Sequence, residues 1–253
     1  MGMSRSGTSL TTSVVAALLG GGRPQTWRGS SKALSSDSAN PHGYFERQDA
    51  VSLNYATIQA LGYSWYTFPA EWASNPKALT AADASSSFRQ RATAIVADMR
   101  NSSPTAPWVL KDVRFARTLP LWRQLVTGPT ACLIPVRHPA EVAHSSKMSI
   151  TNRELLWFNY MLSALVSARS LGCPTMLVPY HGWLSTAVSS GKPPPNLTSA
   201  EAQLESIFDF LKCAGLGGLP SVPPHAALRE LVRPDDYHHR DSWQNPSSAK
   251  VHC

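Results

Sequence analysis

The chain has 253 residues, of which 43% are hydrophobic, and it carries a formal net charge of +7 at pH 7. This length and apolar content suit one globular α/β domain with a sizeable core. No apolar stretch approaches the 18 residues or so of a membrane span, and the basic residues form no Lys/Arg run typical of nucleic-acid binding. We therefore expect a cytoplasmic protein with neither a membrane span nor a nucleic-acid partner.

Helical and strand-like patterns alternate along the chain. Helices are predicted over 9–19, 47–61, 84–101, 120–126, 139–148, 153–171 and 199–213. Short apolar runs predict strands over 108–110, 131–136 and 175–179. Strands separated by helices imply a largely parallel central sheet flanked by helices, with ligands at its carboxyl edge. We expect a single domain over 1–240, followed by a tail over 241–253.

The first nine residues have the spacing of a phosphate-binding loop. Gly2-Met3-Ser4-Arg5-Ser6-Gly7-Thr8-Ser9 matches G-x-x-x-x-G-[K]-[ST], except that Thr8 stands where a nucleotide triphosphatase has its lysine. A helical pattern follows directly, so the N–H groups and positive end of that helix point back at the loop. Arg5 adds a guanidinium that can bind a tetrahedral oxyanion through two hydrogen bonds. The pattern predicts a metal-free phosphate or sulfate site; the alternative is an ordinary serine-rich tail.

A second candidate anion site follows the strand predicted over 131–136. Arg137 comes directly after this strand, and Pro139 suits the first position of a helix, where its missing N–H would be unpaired anyway. Ser145 lies about two helical turns further on. We therefore expect Arg137 and Ser145 to bind one anion together. The alternative is an ion pair between Arg137 and Glu141 at the helix start, with Ser145 exposed.

These motifs resemble those of sulfotransferases that use 3′-phosphoadenosine 5′-phosphosulfate (PAPS). Residues 5–9 look like the 5′-phosphosulfate loop, and Arg137 with Ser145 looks like the 3′-phosphate motif. Two blocks between them, Asn40-Pro41-His42-Gly43-Tyr44-Phe45-Glu46 and Leu110-Lys111-Asp112-Val113-Arg114, resemble the N-P-x-G-Y-F-E and L-K-D-P-R segments of the bacterial-type and carbohydrate sulfotransferase-like branch. The resemblance covers residues 1 to about 185, and four blocks in order are more specific than any one.

The resemblance implies a P-loop-like three-layer fold and transfer of a sulfuryl group from PAPS to a hydroxyl or amine. It implies a set of residues that bind PAPS: Arg5, Ser6, Gly7, Thr8, Ser9, Arg137 and Ser145. The acceptor is expected to be a sugar, a small metabolite or a tyrosine, and no metal is expected. A positive net charge suits a polyanionic co-substrate.

The chemistry of sulfuryl transfer assigns roles to five side chains. Arg5 is expected to stabilise charge on the leaving phosphate, because a fixed cation there lowers the barrier. Glu46 is expected to take the acceptor proton, since the resemblance places it where related enzymes carry a catalytic glutamate. Lys111 and Arg114 are expected to hold the sulfate or acceptor, and Asp112 to fix them or act as the alternative base. The competing interpretation of this cluster is a surface ion-pair network.

The chain departs from the family pattern in two places. The family has a strand immediately before the loop, whereas only Met1 precedes Gly2 here. Two interpretations follow: the given start lies inside a longer reading frame, or the protein is a degenerate copy. Val113 replaces the family's proline, which changes a backbone restraint but removes no charged group.

Two other functions stay open at this point. A P-loop kinase or triphosphatase needs a lysine at position 8, which is missing, and a magnesium-binding aspartate, which Asp112 can supply. A non-catalytic nucleotide-binding or degenerate sulfotransferase-like protein fits the short N-terminus.

The remaining expectations concern cysteines and loops. The four cysteines have no metal-ligand spacing, and Cys132 and Cys173 are expected to be reduced structural thiols in or near strands. Variable loops over 21–40, 63–83 and 185–198 are expected to form the acceptor pocket.

Overall fold

A computed structural model describes residues 1–19, 34, 44–67, 86–102, 107–145, 153–183, 200–221 and 231–232. Most of the three loops expected to form the acceptor pocket, and the whole of the tail over 241–253, lie outside these residues. Within them, no helix is both long enough and apolar enough to cross a lipid bilayer.

Seven α-helices and two strands follow one another in the described residues. The helices are α1 (Thr8–Leu18), α2 (Gln48–Ala60), α3 (Ser86–Ser102), α4 (Phe115–Trp122), α5 (Pro139–Ser145), α6 (Arg153–Leu171) and α7 (Ala200–Cys213). The strands are β1 (Cys132–Val136) and β2 (Thr175–Pro179), and a 3₁₀ turn over Tyr180–Trp183 follows β2. The prediction of a mixed α/β chain with parallel strands is confirmed at this level.

β1 and β2 pair in parallel, with Cys132 opposite Thr175 and Val136 opposite Pro179. Parallel neighbours need a long crossover, and α5 and α6 provide it. Pro139 begins α5, as its position in the sequence predicts. In the described residues the sheet consists of these two strands.

The expectation of reduced thiols at Cys132 and Cys173 is wrong, because the two residues form a disulfide. Cys132 begins β1, and Cys173 lies just before β2, so the parallel pairing brings their Cα atoms to 6.1 Å. The sequence separation of 41 residues concealed a contact that only the crossover creates. The structure therefore joins the amino ends of both strands covalently.

Two predicted elements are wrong. Residues 107–110 are neither helix nor strand, and no backbone hydrogen bond within the described chain pairs them with another segment. A strand exists only by pairing, so the apolar run alone was insufficient. The helix predicted over 120–126 instead spans Phe115–Trp122, with Pro120 inside it. Pro120 cannot donate to the carbonyl of Ala116, and the Ser167 hydroxyl on α6 donates to that carbonyl at 2.8 Å instead.

Three apolar clusters form the core of the described residues, and two of them support the loop that precedes α1. The first packs α1 against β2, the 3₁₀ turn and α7, and it includes Trp183 and Leu204. The second joins α2, α3 and α4 around Trp122. The third joins Met3 and Ile134 to α5 and α6. The loop therefore lies where the first and third clusters meet, beside the carboxyl end of β1.

Candidate functional site

The loop before α1 has a backbone that only particular residues allow. Gly7 precedes the helix with φ 85°, in the left-handed region that favours glycine. A Cβ at Gly7 would also overlap the ring of Tyr180. Arg5 has φ 67°, which is uncommon for a residue with a side chain. No side chain caps α1, so the N–H groups of its first turn are directed at the loop.

Arg5, Arg137 and Ser145 meet at this loop, although the sequence analysis assigns Arg5 to one anion site and Arg137 with Ser145 to another. The Arg5 Nε donates to the Ser145 Oγ at 3.1 Å, although 140 residues separate them. The Arg137 Nη1 donates to the backbone carbonyl of Arg5 at 3.2 Å. Ser145 is buried, which contradicts the alternative of an exposed serine. Two guanidinium groups and one hydroxyl therefore surround the start of α1.

The ion pair considered as the alternative for Arg137 is present as well. The Arg137 Nε donates to the Glu141 Oε2 at 2.9 Å, and the Nε2 of His181 lies 3.3 Å from the same oxygen. The Arg137 guanidinium also covers the ring of Tyr180, 4.2 Å from its centroid. Such contacts hold a guanidinium in one orientation while leaving other N–H groups for a ligand.

Sequence reasoning did not single out Tyr180 as a site residue. Its ring lies between Gly7 and Arg137 and so sets the distance between the loop and the arginine. The signal that could have identified it is its position directly after β2, at the carboxyl edge where ligands bind in parallel sheets.

Lys111 and Glu46 form a second cluster on the other side of the loop. The Lys111 Nζ donates to the Glu46 Oε1 at 2.6 Å and to the Tyr44 carbonyl at 2.9 Å. It also lies 3.4 Å from the Ser9 Oγ in the first turn of α1. The alternative of an exposed ion-pair network is wrong for this pair, because both side chains are buried, with exposed fractions of 5% and 6%.

The environment of Glu46 changes its acidity. Burial raises the pKa of Glu46 most strongly; Lys111 opposes this effect, and the charge of Asp112 reinforces it. The residue before it, Phe45, has φ 54°, a strained value for a bulky residue. A carboxyl with a raised pKa, held next to a cation beside the loop, is typical of a proton-transfer site.

Asp112 has a different environment from Glu46. Its Oδ1 accepts from the Arg114 Nη1 at 2.8 Å and from the Arg114 backbone N–H at 2.9 Å. Its Oδ2 accepts from the Asn54 Nδ2 at 2.8 Å, and the residue is fully buried. The structure thus brings Asp112 together with Arg114, and both of its oxygens are engaged in positioning contacts.

The other predicted loop residues line the start of α1. Ser6 is fully buried, and its hydroxyl has no hydrogen-bond partner among the described residues. Thr8 is buried, and its carbonyl accepts from the Thr12 hydroxyl at 2.8 Å. In the described parts of the chain no three His, Cys, Asp or Glu side chains are grouped as metal ligands.

The site thus consists of two clusters on one helix start: Arg5, Arg137 and Ser145 on one side, and Lys111 and Glu46 on the other. Comparison of the chain with protein-family models, with curated proteins and with solved structures found no match.

Proposed function

We propose that this protein transfers a sulfuryl group from PAPS to a hydroxyl or amine of an acceptor. The observation that carries the proposal is the meeting of sequence-distant cations at the loop before α1. Arg5 contacts Ser145 at 3.1 Å, Arg137 contacts the Arg5 carbonyl at 3.2 Å, and Lys111 lies 3.4 Å from Ser9. PAPS carries two anionic ends, a 3′-phosphate and a 5′-phosphosulfate, and it needs two basic pockets close together.

The loop and α1 provide the pocket for the 5′-phosphosulfate in this proposal. First-turn N–H groups and the positive helix end bind tetrahedral oxyanions without a metal. The buried Ser6 hydroxyl, which has no partner in the described chain, adds a donor that such an anion would satisfy. Arg137 and Ser145 take the 3′-phosphate, because a guanidinium and a hydroxyl together suit a phosphate group.

The reaction proposed is a direct transfer. The acceptor oxygen forms a bond to sulfur while the bond between sulfur and the bridging oxygen of the 5′-phosphate breaks. The acceptor proton passes to Glu46, and adenosine 3′,5′-bisphosphate leaves. Arg5 and the loop N–H groups stabilise the charge that grows on the leaving phosphate.

Lys111 has two parts in this scheme. Its ammonium group keeps the Glu46 carboxylate oriented through the 2.6 Å contact, and it brings positive charge to the first turn of α1 at Ser9. Asp112 acts as a positioning residue, since Arg114 and Asn54 occupy its oxygens. We further propose that the fold is of the P-loop-like three-layer kind, with β1 and β2 as part of its sheet.

The second candidate is a protein that binds the nucleotide without catalysis. The burial of Glu46 favours it, because the carboxylate is 6% exposed and paired with Lys111. A general base must reach the proton of the acceptor, and a buried, ion-paired carboxylate is less accessible to an acceptor than an exposed one. The two candidates share the anion pockets and differ in turnover.

Calorimetry with adenosine 3′,5′-bisphosphate, in buffer containing EDTA, tests the anion pockets. We expect binding without magnesium, which a P-loop kinase would not give. Arg137→Ala should weaken binding about 10- to 100-fold, since a hydrogen bond to a charged group contributes about 1.5–3 kcal/mol. Arg91→Ala, which removes an exposed cation on α3, is the matched control and should bind normally.

Arg137 also holds Glu141 and Tyr180, so the variant is checked for its melting temperature. Ser145→Ala provides a milder second variant, and it should weaken binding several-fold with little loss of stability. Absence of binding by the unaltered protein would refute both candidate functions. Binding without transfer of labelled sulfate to a pool of hydroxylated acceptors would leave the non-catalytic candidate.

A further inference from the structure

The outward face of α6 carries an apolar stripe. From Leu155 to Leu165, every exposed residue of this helix is large and apolar. The stripe consists of four side chains with exposed fractions of 38% to 56%: Leu155, Phe158, Leu162 and Leu165. Single apolar side chains are ordinary on a protein surface, whereas a contiguous patch of them is typical of an interaction site.

The spacing of the four side chains makes the stripe continuous. Steps of three, four and three residues place them next to one another on one face of a helix. This is the spacing of helices that pair in coiled coils, where such side chains interlock with those of a partner helix. α6 already buries a different apolar face in the core, with Leu156, Tyr160 and Ala164. The outward stripe therefore adds a second apolar face to a helix that is already packed.

Exposed charges lie at the two ends of the stripe. Glu154 is exposed in the first turn of α6 and Arg169 in the last, and the sequence has no charged residue between them. Arg153 is half-buried and donates to the Ala143 carbonyl. Opposite charges at opposite ends make this face complementary to itself. When two copies of α6 lie antiparallel, each Glu154 lies beside Arg169 of the other copy.

The apolar side chains favour the same antiparallel register. In such a pair, Leu155 of one copy packs against Leu165 of the other. Phe158 likewise packs against Leu162 of the other copy. The middle of the stripe and the midpoint between the two end charges lie about 2 Å apart along the helix. One register therefore serves both the apolar and the charged contacts.

Two other pairings fit these end charges less well. A parallel pair would bring Glu154 beside Glu154 and Arg169 beside Arg169, and like charges repel. Helices that lie on a membrane combine their apolar face with several lysine and arginine residues. The stripe on α6 instead has one acidic and one basic end, which a second copy complements.

We infer that two copies of this chain form a reversible dimer through antiparallel α6 helices. Such a pair has two-fold symmetry, so both copies use the same surface. A stripe of four partly exposed side chains is smaller than the surface of about 800 Å² per partner in a standard interface. We therefore expect dissociation in the micromolar range or above. The inference does not rest on the proposed function, because the contacts at the anion pockets involve none of these residues.

Sedimentation velocity between about 1 and 200 µM tests the association. The sedimentation coefficient of the unaltered chain should rise with concentration from that of a monomer towards that of a dimer. Phe158→Lys should raise the dissociation constant about 100-fold or more, because each dimer loses two central apolar contacts. Ala94→Lys is the matched control, since it adds the same charge at an exposed position on α3, and it should dimerise normally. A monomer at every concentration, or equal association of the two variants, would overturn the inference.

Charge reversal tests the antiparallel register at two exposed positions outside the core. Glu154→Arg produces a chain with a basic residue at each end of the stripe, and Arg169→Glu a chain with an acidic residue at each end. Each variant alone should dimerise about tenfold more weakly, because both end contacts become repulsive. The double variant should dimerise normally, and an equimolar mixture of the single variants should form mixed dimers. Normal association of each single variant, or failure of both combinations to restore it, would contradict the antiparallel pair.

Flotation with phosphatidylserine-containing vesicles separates a lipid surface from a second copy. It is measured with Phe158→Lys and Ala94→Lys, which carry the same net charge, at a concentration below that at which dimers form. Equal flotation of the two variants supports the inference. If Ala94→Lys floats and Phe158→Lys does not, the stripe binds lipid and the dimer is the wrong assignment.

Discussion

Glu46 and Lys111 form a buried ion pair beside the loop that precedes α1. Burying two charges costs more than an exposed pair returns, unless the geometry is good and other hydrogen bonds are satisfied. Here the Lys111 ammonium has Glu46, the Tyr44 carbonyl and the Ser9 hydroxyl around it. The cost of burial remains visible in Glu46, whose pKa is raised. Such a carboxylate binds a proton more readily than an exposed one.

Glu46→Gln tests the proton-transfer role. Glutamine keeps an oxygen for Lys111 but cannot take the acceptor proton, so turnover should fall about 10²- to 10⁴-fold. Affinity for adenosine 3′,5′-bisphosphate should change little. In the unaltered protein the base form is populated only above the raised pKa, so the rate should rise with pH through a value above the usual 4.5. Steady-state sulfate transfer between pH 4 and pH 8 measures the turnover of the variant and the pH dependence of the unaltered protein.

The matched control for this variant is Glu154→Gln, which changes an exposed carboxylate in the first turn of α6. Its turnover and pH profile should equal those of the unaltered protein. Full turnover in Glu46→Gln would remove Glu46 from the base role. It would leave the anion pockets, which Arg137→Ala tests, unaffected.

At the scale of elements, periodicity and start signals predicted most of the helices and both strands. Thr8–Leu18, Arg153–Leu171 and Cys132–Val136 lie within one or two residues of their predictions, because long apolar patterns and residues such as Pro139 act locally. The segment 107–110 did not form a strand, since pairing depends on a neighbour that the segment itself does not specify. The contact of Tyr180 with Gly7 likewise depends on the crossover.

The disulfide between Cys132 and Cys173 gives a prediction for β1 and β2. Cross-linking restricts the unfolded chain, so Cys173→Ser should lower the free energy of unfolding by about 2–4 kcal/mol. Cys213→Ser, which alters an exposed free cysteine on α7, is the control and should have almost no effect. Urea denaturation with and without reductant measures both. Reductant should destabilise the unaltered protein and leave Cys173→Ser unchanged; equal curves would contradict the disulfide's stabilising role.

At the scale of the whole molecule, two different environments adjoin α1. Cationic side chains from three distant segments meet at its amino end, whereas a cavity of about 650 Å³ along it has a mostly apolar lining that also includes Thr8 and Lys111. The sequence predicted the first environment because Arg5, Arg137 and Lys111 lie in recognisable motifs. It could not predict the cavity, because the residues that line it come from distant segments that only the fold brings together. The two environments meet at Met1, whose nitrogen lies beside Leu133 and within the electrostatic reach of Lys111.

That position makes global stability depend on pH. Burial, and then the charge of Lys111, lower the pKa of the Met1 amino group from 8.0 to about 5. Between these values the unfolded chain binds a proton that the folded chain does not, so the free energy of unfolding should rise with pH, by roughly 4 kcal/mol at most. Glu46 has the opposite effect on stability. Its pKa is raised in the folded state, so its contribution to the free energy of unfolding falls as the pH rises.

Acetylation of the amino terminus isolates the Met1 contribution, because it removes the amine and leaves Glu46 in place. The acetylated chain should be more stable than the unmodified chain near pH 5, and the difference should be small near pH 8 and vanish above about pH 9, where the amine is neutral in both states. Urea denaturation of both forms at pH 5, 6.5, 8 and about 9.5 provides the measurement. Parallel stability curves across this range would mean that the Met1 ammonium is not buried beside β1.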